Sequence, residues 1–295
     1  MPLLLERLLG ELPLSSFLGE HYLKAPLARR SAAAPFRELI SWELMDRLVE
    51  TPACDLILVR DGAMWSGDRP ARAEEARKLY AEGYSLVFRH PDRHVPELAE
   101  LGRSFSSELQ GTINLHVYCT PPGHGSFGWH CDPEEVFILQ TGGSKQYLLR
   151  QNTLNPTPLH ETLTDVTDAS REQTPIQECR LETGDWLYIP GGYWHMAQAR
   201  ETEALSISVG LMPATPIQVL DFVRGQLLRN RRWQQRLPPL GHASELSDAQ
   251  KLEFCRELFQ GLGEELEKLL AEPSFALRFL SAWARAGLKS SGPQR

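Results

Sequence analysis

Three side chains far apart in the chain make a ligand set. His130 and Asp132 are separated by one residue, and His195 closes the run Asp185-Trp-Leu-Tyr-Ile-Pro-Gly-Gly-Tyr-Trp. Side chains alternate faces along an extended strand, so His130 and Asp132 point the same way and Cys131 points opposite. Two imidazoles and one carboxylate can cap one face of a metal ion and leave about three octahedral positions open, the arrangement of non-heme Fe(II) oxygenases. The third ligand must come from a strand alongside, and a hairpin through Pro190-Gly-Gly192 would return His195 to the first pair. The His-x-Asp triplet alone is a weak signal. Its context strengthens it: a Pro-Gly-rich loop, Pro121 to Gly128, precedes it and a strand-like run follows.

Other polar and aromatic residues near these ligands have ordinary readings. Lys145 in isolation is a solvated residue of a hairpin that turns at Thr141-Gly-Gly143. Trp129, Trp186, Tyr193 and Trp194 read as barrel core, with Trp129 and Tyr193 near enough in sequence to wall a pocket. Cys131 reads as packing, and Glu134 and Glu135 as solvated strand-edge charge. His116, His124 and His160 read as common loop or strand histidines, His124 being the one placed to touch a substrate. The metal set itself leaves two alternatives open, a metal-binding protein that is not an oxygenase and an inactive relic.

The elements that must position these residues change character twice. Up to residue 111 the chain is mixed: helices are expected over 36–50, 71–82 and 96–109, with strand-like runs at Leu56 to Val59 and Ser85 to Phe88. Over 112–213 short runs rich in Val, Ile, Tyr and Trp dominate: Ile113 to Cys119, Glu135 to Gln140, Lys145 to Arg150, Ile176 to Leu181, Trp186 to Ile189, Trp194 to Ala197 and Ala204 to Leu211. Turn signals at Thr120-Pro-Pro-Gly123, Thr141-Gly-Gly143, Glu182-Thr-Gly-Asp185 and Pro190-Gly-Gly192 punctuate them, which means a sandwich or barrel. Over 214–295 the period becomes 3.6. Leu252, Cys255, Phe259, Leu262, Leu266 and Leu269 share one face of a helix that Ser247 can cap, and Phe275 to Leu288 reads as another. Either this tail caps its own barrel or it joins subunits.

Bulk properties exclude several classes. The 295 residues carry a formal charge of −7, which argues against a dedicated nucleic-acid surface. The cluster Arg224, Arg229, Arg231, Arg232 and Arg236 reads as a solvated helix end. Five cysteines without a Cys-x-x-Cys pair indicate neither a disulfide framework nor a thiolate zinc site, and suit a reducing, cytoplasmic setting. Met1 to Gly10 has the pattern of an amphipathic helix rather than a signal peptide, and no apolar run approaches the ~20 residues of a membrane span.

Asn114 to Leu211 resembles the JmjC and cupin-like oxygenases that depend on Fe(II) and 2-oxoglutarate, most closely the bacterial ribosomal-oxygenase-like branch. The most specific segment is Phe137-Ile-Leu-Gln-Thr-Gly-Gly-Ser-Lys-Gln-Tyr-Leu-Leu149, and Phe17-Leu-Gly-Glu-His-Tyr-Leu-Lys-Ala-Pro-Leu27 is similar to an N-terminal motif of that branch. The resemblance implies a mainly β fold: a double-stranded β-helix, or jelly roll, with a C-terminal helical element. It implies Fe(II) on His130, Asp132 and His195. A basic residue fifteen positions after the first histidine would hold the far carboxylate of the cosubstrate 2-oxoglutarate, and that residue is Lys145. Tyr118 would share that carboxylate, and Ser206 and Ser208 would line the same pocket. Some relatives have asparagine where this chain has His116 and threonine where it has Ala197. The 82 residues after Pro213 suffice for a helical dimerisation element, hence a homodimer through the C-terminal helices, but hardly for a winged-helix domain. The activity implied is hydroxylation of a protein or peptide side chain; a small-metabolite hydroxylase and a non-catalytic metal-binding cupin are the alternatives. Neither nucleic acid nor membrane is expected as a partner.

Overall fold

The computed structural model describes residues 3–159, 169–241 and 244–290. The chain opens with α1 (Leu4–Leu9) and the single turn α2 (Leu14–Ser16), then β1 (Leu27–Arg29), α3 (Trp42–Val49), β2 (Asp55–Arg60), β3 (Ala63–Met64), α4 (Ala73–Ala81), β4 (Ser85–Arg89) and α5 (Pro96–Leu109). The strand-rich part supplies β5 (Gly111–Thr120), β6 (Glu135–Arg150), β7 (Gln177–Glu182), β8 (Trp186–Ile189), β9 (Trp194–Gln198) and β10 (Ala204–Pro213). Three helices follow: α6 (Pro216–Leu227), α7 (Asp248–Ala271) and α8 (Phe275–Ser290). The helix expected over 36–50 is broken. A 3-10 turn over Ala34–Leu39 ends at extended Ile40, and α3 starts afresh under Ser41, whose hydroxyl accepts the Leu44 N–H at 3.2 Å.

The strands form an antiparallel jelly-roll core. Its main layer runs β1-β8-β6-β10-β5-β4-β2-β3, so β2 and β4 from the first 111 residues extend the sheet begun by β5. The second layer is β7 and β9, both paired to the distal half of β6. One element departs from expectation. Thr141-Gly-Gly143 is no hairpin turn, because Glu135–Arg150 is one strand that crosses from the first layer to the second. Gly143 bends the crossing at φ 61°, and a Cβ there would lie 1.7 Å from the Glu203 carbonyl oxygen. Only glycine fits so close a backbone approach.

Strand alternation divides the interior in two. Ile113, Leu115, Val117 and Cys119 of β5, with Leu205, Ile207, Val209 and Leu211 of β10, face a large core shared with Leu8, Met45, Leu98 and Phe105 of the flanking helices. Val136, Ile138, Tyr147, Leu149, Leu181 and Leu187 form a smaller cluster between the layers. The described residues make two compact units, one up to Pro213 that also takes the chain from Ala286, the other Ala214–Arg285. In the second unit Ser247 caps α7, and Phe222 packs edge-on against Phe275 and Phe279. Among the described residues no helix is long and apolar enough to cross a membrane.

Gly143→Ala combines positive φ with a backbone clash, and is expected to cost at least about 3 kcal/mol in urea denaturation at pH 7. A loss under 1 kcal/mol, roughly that of an ordinary surface change, would show that the crossing can shift to make room.

Candidate metal centre

His130 and Asp132 leave the Pro-Gly loop just before β6, and His195 is the second residue of β9. Their backbones are zipped: the His195 N–H donates to the His130 carbonyl at 2.8 Å and the His130 N–H to the His195 carbonyl at 3.1 Å. The Gly192 N–H adds a bond to the Asp132 carbonyl at 2.7 Å. The ligand atoms therefore converge: Asp132 Oδ2 is 3.9 Å from His130 Nε2 and 3.5 Å from His195 Nε2, and one ligand atom from each residue lies within 4.8 Å of the others.

The far side of each imidazole tests whether a cation fits. His130 Nδ1 lies 2.8 Å from the Gly128 carbonyl and His195 Nδ1 3.0 Å from the Tyr193 carbonyl. A carbonyl only accepts, so each Nδ1 carries the proton and each Nε2 offers its lone pair toward Asp132. Burial, and then the neighbouring His130, push the His195 imidazole down to about 4, which keeps it neutral at pH 7. The donor set fits a divalent transition metal.

The same cavity has a cation at its other end. Lys145 lines it with Tyr118, Tyr147, Ser206 and Ser208. Lys145 is 4 % exposed, its Nζ donates to Thr120 Oγ1 at 3.2 Å, and it stands 5.1 Å above the Tyr118 ring centroid. Among the described residues no carboxylate lies within ion-pairing distance of it. Burial pushes the ammonium down to about 8. A buried charge without a partner is costly, and an entering carboxylate would offset that cost.

Several readings from the sequence are corrected here. Lys145 is not a solvated hairpin residue, and Glu135 is not strand-edge charge but 3 % exposed, accepting hydrogen bonds from the Tyr188 hydroxyl and the Gly191 N–H. Glu134 is half-buried on Asn114 Nδ2 at 2.9 Å, and burial pushes its carboxyl up to about 7. Neither Trp129 nor Tyr193 lines the cavity; Phe127, three residues before His130, does, with Ser126, Val136, Ile138 and Ala197. Phe127 packs edge-on against both Tyr118 and His130, a role its glycine-flanked loop position does not announce. Cys131 is buried against Asn152, away from the cluster. His116 sits between Tyr118 and His90, His124 pairs with Asp61 at 3.0 Å, and His160 lies outside the described residues.

Comparison with known proteins agrees with this architecture. Residues 90–219 match the JmjC domain family. The chain is 25% identical over 219 residues to the bifunctional lysine-specific demethylase and histidyl-hydroxylase NO66 of Drosophila persimilis, covering 70% of this chain and 31% of that protein. It thus spans about a third or less of the length of the NO66 relatives it matches. It is also 25% identical to the uncharacterised protein YxbC of Bacillus subtilis, covering 92% of this chain and 90% of that one. The fold resembles the ribosomal oxygenase YcfD of Escherichia coli in complex with cobalt and 2-oxoglutarate, with TM-score 0.64 and 22% identity over 93% of this chain and 71% of that one.

Lys145→Met removes an uncompensated buried charge. It is expected to raise the ligand-free protein's stability at pH 7 by on the order of 2 kcal/mol. Because the lysine's folded-state value is depressed, the unfolded chain holds more protons above pH 8. Wild-type stability should therefore rise toward that of the variant as pH climbs from about 8 to 10. Urea curves at pH 7 and pH 9.5 check both; a variant less stable than wild type at pH 7 contradicts the unpaired charge.

Proposed function

We propose that this JmjC-domain chain is an Fe(II)- and 2-oxoglutarate-dependent hydroxylase of protein or peptide side chains. The observation that carries the reading is the unpaired buried ammonium of Lys145 in the cavity that also presents His130, Asp132 and His195. A metal chelate at one end and a lone cation at the other suit a small dicarboxylate with a keto oxygen beside one carboxylate. Support for a polypeptide substrate comes from the relatives, whose names specify histidyl and lysine residues or the ribosome. In this reading 112–213 is the catalytic core, 1–111 packs on it and 214–295 is the dimerisation region.

His130, Asp132 and His195 would hold Fe(II), which when bound supplies dioxygen activation coupled to oxidative decarboxylation of 2-oxoglutarate and C–H hydroxylation. Lys145 and the Tyr118 hydroxyl grip the remote carboxylate, and a charge-assisted hydrogen bond of this kind contributes about 1.5–3 kcal/mol. Ser206 and Ser208 project from β10 on the same side as Tyr118 and His116, their partners in register, and complete the polar lining. Phe127, Val136, Ile138 and Tyr147 exclude water around the reacting centre.

Anaerobic addition of Fe(II) and 2-oxoglutarate should give a visible charge-transfer band, and admission of oxygen should give succinate. His195→Ala should abolish both. Lys145→Met should keep metal binding but raise the 2-oxoglutarate requirement by roughly 10- to 100-fold, the equivalent of one charge-assisted bond. In the wild type that requirement should rise as pH passes about 8, where the ammonium loses its proton, and in Lys145→Met it should not. No band and no succinate would leave a non-catalytic metal-binding cupin.

The helical region supports a homodimer. None of the 24 residues of α7 is buried, although its apolar residues recur at helical spacing; Leu252 is 62% exposed and Phe259 67%. Such a face is the kind that a second copy covers. Light scattering should give twice the 33.3 kDa of the chain, and Phe259→Glu should shift it toward the single mass. A monomeric wild type at high micromolar concentration overturns the dimer.

A further inference from the structure

The carboxylate of Glu135 is buried, and among the described residues no Lys, Arg or His lies within ion-pairing distance of it. By energy alone an apolar side chain of similar size would suit that position at least as well. Its hydrogen bonds, however, run to one turn, to one strand and to the Leu23 backbone. Oε1 accepts the Gly191 N–H at 3.0 Å, Oε2 accepts the Tyr188 hydroxyl, and the Leu23 N–H donates to that same hydroxyl at 2.8 Å. Gly191 leaves no room for a side chain: a Cβ on it would lie 2.9 Å from the Pro133 carbonyl and 3.0 Å from Glu135 Oε1.

The turn held in this way is the one that delivers His195. Gly191 is bonded to Glu135, Gly192 to the Asp132 carbonyl at 2.7 Å, and His195 to His130 through two backbone bonds. The side-chain bond from Glu135 lies at the turn end of this ladder. Without it the turn is tied to the first ligand segment by backbone alone.

We propose that Glu135 is a positioning residue for the metal centre, fixing the separation of Asp132 and His195 through the Gly191 N–H; this rests on the reading of those residues as metal ligands. Groups hydrogen-bonded directly to metal ligands change metal affinity by about 10- to 100-fold when removed, and Glu135, one bond further out, is expected at the low end of that range. The amide of glutamine can still accept the Gly191 N–H and donate to the Tyr188 oxygen, so the conservative variant keeps the turn in place.

The test is Co(II) binding to the full-length protein, followed by titration calorimetry and by the visible d–d spectrum, which reports ligand geometry. Glu135→Ala should weaken Co(II) by about 10-fold, the low end of the outer-partner range, and alter the spectrum; Glu135→Gln should restore both. Gly191→Ala, which disturbs the same contact while leaving the carboxylate, should also weaken Co(II), and serves if Glu135→Ala does not fold. Tyr188→Phe should lower the melting temperature and leave Co(II) affinity unchanged. Wild-type affinity in the folded Glu135→Ala and Gly191→Ala variants, or an equal loss in Tyr188→Phe, overturns the inference alone. A wild type that takes up no Co(II) overturns the metal reading and this inference together.

Discussion

The passage of one strand between two layers governs this molecule. β6 begins three residues after Asp132, and contributes Val136 and Ile138 to the cavity while paired to β8 and β10. It then bends at Gly143 and contributes Lys145 and Tyr147 while paired to β7 and β9. The metal-ligand end and the cation end of the cavity are therefore spaced along a single extended segment. Were the chain to turn back at residues 141–143, Lys145 would lie opposite Leu139 in the same layer, on the face of the large apolar core rather than in the cavity. The bend depends on a glycine pressed against the Glu203 carbonyl, so a backbone contact fixes where the ammonium sits.

The electrostatics of the interior follow from that placement. Lys145 is kept from water by Tyr118, Tyr147 and the end of β5, with a neutral threonine hydroxyl as its hydrogen-bond partner. At the opposite end Asp132 lies between two imidazoles that are each oriented by a backbone carbonyl. The buried ammonium and the carboxylate with its imidazoles do not neutralise each other directly. An interior with separated, incompletely compensated charges is less stable than one with the charges paired, and it is also one in which a charged ligand gains more than it would in water. Pre-organisation and instability are here the same feature.

Legibility from sequence was uneven for a physical reason. The pair His130 and Asp132 was readable because residues two apart in extended chain share a face, although the structure puts them in the segment before β6, with only an isolated bridge at His130, and His195 because its turn is marked by Pro190-Gly-Gly192. The jelly roll was readable from short β-rich runs with turn residues between them. Gly142-Gly143 misled, since a hairpin turn and a strand crossing call for the same residue, and the Glu203 backbone sixty positions away decides between them. Glu135 misled likewise: two adjacent glutamates at a strand start look solvated until Tyr188 and Gly191, more than fifty residues on, are brought over the second of them. Lys145 is the intermediate case. Its position matches a family pattern, but its burial is a tertiary fact that no window of sequence contains.

Alternation along β5 and β10 separates stability from chemistry residue by residue. Leu115 and Val117 bury themselves among the helices, while Tyr118, one step along, faces the cavity with its register partner Ser206, and Ser208 lines the same cavity. Side chains on the first face are held by close packing, where the loss of a methylene is felt by the whole domain. Those on the second face border open space and can change in size or polarity without disturbing that core. A one-residue slip of either strand would exchange the two faces, exposing leucine and valine to the cavity and driving the polar residues into the helices. The large apolar core therefore holds the register that keeps Tyr118, Ser206 and Ser208 on the cavity side, and the precision of the polar lining is a consequence of packing on the other side of the sheet.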